Sequence, residues 1–196
     1  MLETLSNLTD GQLHRLIYST WDFQQALSAL TFLMEECDFE ARYNRVELRK
    51  FRCYEASLII SFSRPFETSR RGTTIGLRAI GLQLNPEETR LKDAMLSLRR
   101  KVIAHSDEQL MHFRASTHQP LEDSPISLPL LQFTESLYIE AAQCRPLETL
   151  LRKLIAGIGK ALFALAQAEP ERLNLYKQPN VANAEAQPVA RADSRR

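Results

Sequence analysis

Apolar residues recur at helical spacing through most of the chain. Phe23, Leu27, Leu30 and Met34 fall at i, i+4, i+7 and i+11, one face of a helix predicted over about 9–37. Ser19, with Asp22 three residues on, has capping-box spacing and marks a candidate break near Tyr18–Ser19. A second helix is expected over about 41–63. Phe51, Leu58 and Phe62 share its inner face, and Pro65 forces Arg64 out of α geometry. The polar, basic run RPFETSRRGTT follows, then a short helix at about 74–83. Asn85, Pro86, Glu87 and Glu88 read as a helix start: a side-chain cap, a residue with no N–H to lose, and acids at the positive end of the dipole. Leu91, Met95, Leu98 and Val102 form that helix's buried stripe, to an end near His105. Over 106–143 the period is lost. LMHFRAS and LPLLQFT are expected to pair as a hairpin, although Pro129 weakens the second strand. The last long helix is predicted from Pro146 to about 168, lined by Leu147, Leu151, Leu154, Ile158, Ala161 and Leu165. GIGK, at 157–160, lies inside it and suits close helix packing rather than a phosphate loop.

These elements predict an all-α fold: an antiparallel four- to five-helix bundle, with a small β-hairpin or irregular insertion before the last long helix. The helical domain is expected over 1–176. The tail, 177–196, has no aromatic residue and little to bury, and is predicted to be disordered. With 196 residues, 44% of them hydrophobic, wholesale disorder is excluded. No apolar run approaches the ~18–20 residues that span a bilayer, so no membrane partner is expected. The first residues, MLETLSNLTDGQ, lack a basic region and an apolar core, so no secretory signal is expected. Cys37, Cys53 and Cys144 fit neither a disulfide framework nor a zinc motif. A reduced, cytoplasmic protein is the expectation.

The formal net charge of +1 conceals an uneven distribution. Residues 1–39 carry a net −5, 40–101 a net +7 and 102–196 a net −1. A polyanion would bind the middle third. Arg42, Arg45, Arg49 and Arg52 are spaced as a stripe along the second helix, and with Arg64, Arg70 and Arg71 they suit an RNA backbone. The competing reading is a solvated face.

The segment MLSLRRKVIAHSDEQ, 95–109, holds the candidate chemistry. A His that titrates near neutrality serves as general base or acid, and an Arg stabilises the negative charge of a phosphorane. Arg100 and His105 frame RKVIAH, an Arg, four residues, then a His; Arg99 matches with five between. This resembles the active-site motif of the HEPN superfamily, as do the AHSD run and the late placement of the motif on a capped helix. The resemblance is to the abortive-infection and toxin-type members. It implies a helical bundle, a homodimer with two motifs meeting across the interface, and RNase activity without a cofactor or metal. Lys101 stands where the family more often has Asn, Asp or His. On an α-helix, residues five apart differ by about 140°, so Arg100 and His105 would not share a face.

Glu55 falls on the apolar stripe of the second helix, where a carboxylate needs a partner. The resemblance implies an acid touching the motif Arg, so Arg100 or Arg99 is the expected partner; a purely structural ion pair is the alternative. Tyr54 and Arg64 are weaker candidates near the same site. The expected function is a metal-independent endoribonuclease of toxin or phage-defence type. Its catalytic residues are Arg100, His105 and Glu55, and Arg42, Arg45, Arg49, Arg52, Arg64 and Lys101 bind RNA. An antitoxin protein is a further candidate partner. The alternative is a non-catalytic helical module that binds RNA, a nucleotide or a partner protein.

Overall fold

The computed structural model describes residues 7–68, 73–103, 113–120, 125–133 and 135–175. Among the described residues are four helices and one small hairpin: α1 (Asp10–Glu36), α2 (Arg45–Ser63), α3 (Pro86–Leu98), β1 (Phe113–His118), β2 (Leu128–Phe133) and α4 (Ala141–Ala168). The tail from 177, with the expected disorder, lies outside the described residues.

Side-chain caps set the helix starts. Thr9 Oγ1 accepts from the Gln12 N–H at 3.3 Å, and Gln12 Oε1 accepts from the Thr9 N–H at 2.8 Å. α1 then runs unbroken through Ser19. The Ser19 hydroxyl donates back to the Arg15 carbonyl at 2.6 Å, and Asp22 reaches Arg64, so neither caps anything. α2 starts later than the spacing suggested, because Asn44 Oδ1 accepts from both Val46 N–H and Glu47 N–H. Asn85 caps α3 as expected, accepting from the Glu88 N–H at 2.8 Å. The expected helix at 74–83 is only a 3-10 turn, Leu77–Ile80. It is stopped by Gly81 at φ 71°, a conformation that favours glycine.

α4 starts five residues before Pro146, the expected first residue. Gln143 Oε1 accepts from the Glu140 N–H at 2.9 Å and fixes the first turn. Pro146 therefore sits inside the helix and removes one backbone donor there.

The pairs Glu36–Lys50, Phe32–Tyr54, Phe23–Phe62 and Asp22–Arg64 run in opposite directions along α1 and α2, so these two helices are antiparallel. Phe23, Phe62 and Phe66 cluster at centroid separations of 5.6–6.1 Å. Leu30, Leu58, Ile59, Leu151, Leu154 and Ile158 complete a single core in which the predicted stripes of α1, α2 and α4 meet. A satellite cluster of Leu33, Cys37 and Phe51 lies under Tyr43.

The hairpin is antiparallel, with Phe113 opposite Phe133, Ala115 opposite Leu131 and His118 opposite Leu128. Pro129 is tolerated because both strands of a two-stranded ribbon are edges. Every residue of both strands is exposed, and neither strand contacts a helix.

The two glycines of GIGK have different surroundings. A Cβ on Gly157 would lie 2.6 Å from Leu82 Cγ, while one on Gly159 would meet nothing within 4 Å. Gly157→Ala is expected to destabilise, because displacing Leu82 costs about 1–3 kcal/mol against a gain in helix propensity of about 1 kcal/mol. Gly159→Ala is expected to stabilise by about 1 kcal/mol. Thermal unfolding of both variants should move in opposite directions.

Candidate functional site

After Leu98 the α-helix widens into one π turn, Arg99–Ile103. Single π turns inside helices occur often at functional sites. The turn carries Arg99, Arg100 and Lys101, the first half of the motif. His105 lies outside the described residues, as do Arg70, Arg71 and the Val102 side chain. The Arg100 Nε–H donates to the Leu96 carbonyl at 3.2 Å and lies 3.7 Å from Glu67 Oε1. Arg99 forms an ion pair with the other oxygen of the same carboxylate. The Arg100 side chain is 66% exposed, and Lys101 is exposed beside it.

Glu67 follows the 3-10 turn Arg64–Phe66 at the end of α2. That turn gathers further cations. Arg64 reaches Asp22 at 3.3 Å, Arg15 donates to the carbonyls of Thr73 and Arg64, and the Lys92 ammonium sits 5.8 Å from the Phe66 ring centroid. Burial pushes the Asp22 carboxyl up, against the opposing pull of Arg64 and Arg15. Arg64, Arg100 and Lys101 are therefore brought to one end of the bundle, with Arg99, Lys92 and Arg15 added to them.

Glu55 is not part of that end. It is 2% exposed, and its Oε1 accepts from the Tyr138 N–H at 2.6 Å and the Ile139 N–H at 2.8 Å. The expected contact with Arg100 or Arg99 is thus corrected: Glu55 satisfies two backbone donors at the start of α4, and Glu67 is the acid on both arginines. Glu67 was visible in the sequence as the single acid of RPFETSRRGTT, a run the spacing treated as a linker.

The stripe on α2 divides. Arg49 makes a two-pronged pair with Glu135, at 3.0 and 2.7 Å. Arg52 lies 5.4 Å from the Tyr138 ring centroid. The Arg49 hydrogen bond, with the charges of Arg49, Arg52 and Arg45, holds the Glu135 carboxyl below its usual range. These arginines clamp the segment before α4, which leaves Arg45 as the exposed remainder of the stripe; Arg42, expected on the same stripe, is exposed but precedes the Asn44 cap and lies off the helix. Tyr54 donates to Glu36 at 3.2 Å.

A cavity of about 600 Å³ lies elsewhere, between the α1–α2 connection and the start of α4. Cys37, Tyr43, Leu48, Glu135 and Glu140 line it, and no described motif residue does. The three cysteines are free thiols, and burial raises the pKa of Cys37 and Cys144. Among the described residues no group of three His, Cys, Asp or Glu side chains could hold a metal ion, and no helix is long and apolar enough to cross a membrane.

Burial raises the Glu55 pKa, and the Ile139 and Tyr138 N–H groups and the Arg52 charge oppose that rise. The folded pKa lies above the unfolded one, so the folded state keeps the proton to higher pH. The contribution of Glu55 to stability therefore falls as pH rises from the ordinary carboxylate range through the raised folded pKa. Glu55→Gln keeps an acceptor for both donors, and its stability relative to the parent should rise across that window in chemical denaturation. Glu55→Ala leaves both N–H groups unpaired and should cost on the order of 2–4 kcal/mol.

No family model, no curated protein and no solved structure matches this chain.

Proposed function

We propose that this chain is a metal-independent endoribonuclease of toxin or phage-defence type, working through Arg100 and His105. The observation that carries this reading is the π turn, which presents a largely exposed Arg100 beside Lys101 while Glu67 and the Leu96 carbonyl hold its Nε.

In the reaction, the His105 imidazole takes the proton of a ribose 2′-OH, and O2′ attacks the adjacent phosphorus. The P–O5′ bond breaks, and the leaving oxygen takes a proton from an imidazolium, supplied by a second motif in a homodimer. The products are a 2′,3′-cyclic phosphate and a 5′-hydroxyl. Arg100 stabilises the additional negative charge of the phosphorane, and Glu67 keeps Arg100 in place until the phosphate displaces it. Arg64 and Lys101, with Arg45 at the start of α2 and Arg42 just before it, bind the RNA backbone.

A second reading has one observation behind it. Glu67 already offsets both motif arginines, which suits a module that holds RNA without cutting it. Labelled RNA incubated with the purified protein in EDTA separates the two. Cleavage to 2′,3′-cyclic phosphate ends, lost by about 100-fold or more in His105→Ala and in Arg100→Ala, is the expected result. A gel shift without cleavage would favour the binding module. Full activity in His105→Ala would refute the assignment.

A further inference from the structure

A second cleft, of about 490 Å³, opens between the start of α1, the segment 73–76 and the 3-10 turn Leu77–Ile80. Small-molecule sites ordinarily have volumes of about 300–1,000 Å³. Leu16, Ile75 and Ile80, all buried, form its floor. Gln12, Thr68, Thr73 and Thr74, all exposed, form its rim, and no lining side chain is charged. The walls are tied to the rest of the bundle. The Thr73 hydroxyl donates to the Gly11 carbonyl at 3.4 Å, and the Ile75 N–H donates to the Pro65 carbonyl at 2.7 Å. Gln12 Oε1 already accepts from the Thr9 N–H and hydroxyl, so its amide N–H groups are what Gln12 offers a ligand. An apolar floor takes the face of a flat neutral ring, and hydroxyls and an amide take its polar edge.

The cleft adjoins the arginine pair. Thr68 on its rim follows Glu67, whose carboxylate pairs with Arg99 and Arg100, and consecutive Cα atoms lie about 3.8 Å apart. Arg15 lies on the seam, donating to the Thr73 carbonyl at 2.6 Å and the Arg64 carbonyl at 3.4 Å. An uncharged cleft beside a group of cations is the division that a nucleotide itself shows between its base and its phosphate. The larger cavity near α4 lacks that division: Asp38, Glu40, Glu135 and Glu140 line it and would repel a phosphate.

We propose that this cleft holds one base of a single-stranded RNA, next to the phosphate that Arg100 engages. Single-stranded RNA presents unstacked bases whose faces and edges are both open to a protein. The inference rests on the reading of Arg100 as a phosphate ligand, and it holds whether the RNA is cut or only bound.

Adenosine 5′-monophosphate and ribose 5-phosphate carry the same phosphate with and without a base. In the full chain with carbon-13-labelled isoleucine methyl groups, the adenosine monophosphate should bind about tenfold more tightly than ribose 5-phosphate. The ring current of its base should move the Ile75 and Ile80 methyl signals, which ribose 5-phosphate cannot do. Gly76 has φ −87° and ψ 92°, and a Cβ there would meet only Ala79 Cβ, at 3.5 Å, so both positions accept larger side chains that narrow the cleft. Gly76→Val and Ala79→Leu should each abolish the tenfold advantage with ribose 5-phosphate binding and helical circular dichroism unchanged. Arg100→Ala should weaken both probes. The inference falls if the two probes bind equally, if the Ile75 and Ile80 methyl signals stay in place, if both narrowed variants bind adenosine monophosphate like the parent, or if its binding is indifferent to Arg100→Ala. Base binding without RNA cleavage in EDTA would remove the nuclease reading and leave the cleft assigned. Cleavage without base binding would do the reverse.

Discussion

Two backbone N–H groups, those of Tyr138 and Ile139, must be satisfied where the chain turns into α4, and the Glu55 carboxylate accepts from both. An apolar side chain on that part of α2 would leave both donors unpaired, at a cost comparable to what its own burial would contribute. The carboxylate is expensive to bury, as its raised pKa records, yet it joins elements 83 and 84 residues apart in the chain. It also fixes where α4 begins. The buried series Cys144, Leu147, Leu151, Leu154 and Ile158 starts five residues after Ile139, so the anchor sets which side of α4 faces the core.

The same anchor accounts for much of the positive charge in the middle of the chain. Arg49 and Arg52 lie on the two turns of α2 before Glu55, and both reach the segment that Glu55 holds: Arg49 to Glu135, Arg52 to Tyr138. A row of arginines that looks like a nucleic-acid footprint in the sequence is in part a brace across two elements. Among the described residues, what remains for a polyanion is divided between Arg42 and Arg45, just before and at the start of α2, and the cations around Glu67 beyond its far end. A helix rises about 1.5 Å per residue, so these groups lie well apart along α2. A ligand that met both would have to be extended.

The helices were legible because their signals are local. Asn85 with Pro86 marks a start that no distant residue needs to confirm, and the apolar series of α4 has one dominant period. The errors share a cause. Pro146 reads as a first helical residue by local preference, but the true start depends on Gln143 and on Glu55, which belongs to a different helix far earlier in the chain. Ser19 and Asp22 have cap spacing, yet Asp22 is drawn to Arg64 on another helix. Glu55 was recognisable as a buried acid in need of a partner. Which partner was not, because backbone donors carry no mark in a sequence, whereas Arg100 does. Glu67 was missed for the converse reason: its surroundings look like a linker until the 3-10 turn fixes it beside Arg99.

In the proposed reaction the contacts of Arg100 have unequal roles. The Leu96 carbonyl belongs to the helix backbone and stays in place, so the bond from Nε keeps the guanidinium near the π turn. Glu67 is an anion, and a phosphate competes for the same cation. The side chain is largely exposed, so the ion pair with Glu67 is weak in water and little is lost when it exchanges. A phosphate also offers the paired acceptors that a guanidinium fork engages best. Glu67 is then a placeholder: it keeps two like charges, Arg99 and Arg100, together before RNA arrives, which they would otherwise resist. The arrangement asks that the carboxylate be displaced rather than retained, and the same repulsion between neighbouring guanidinium groups draws the phosphate in once it is.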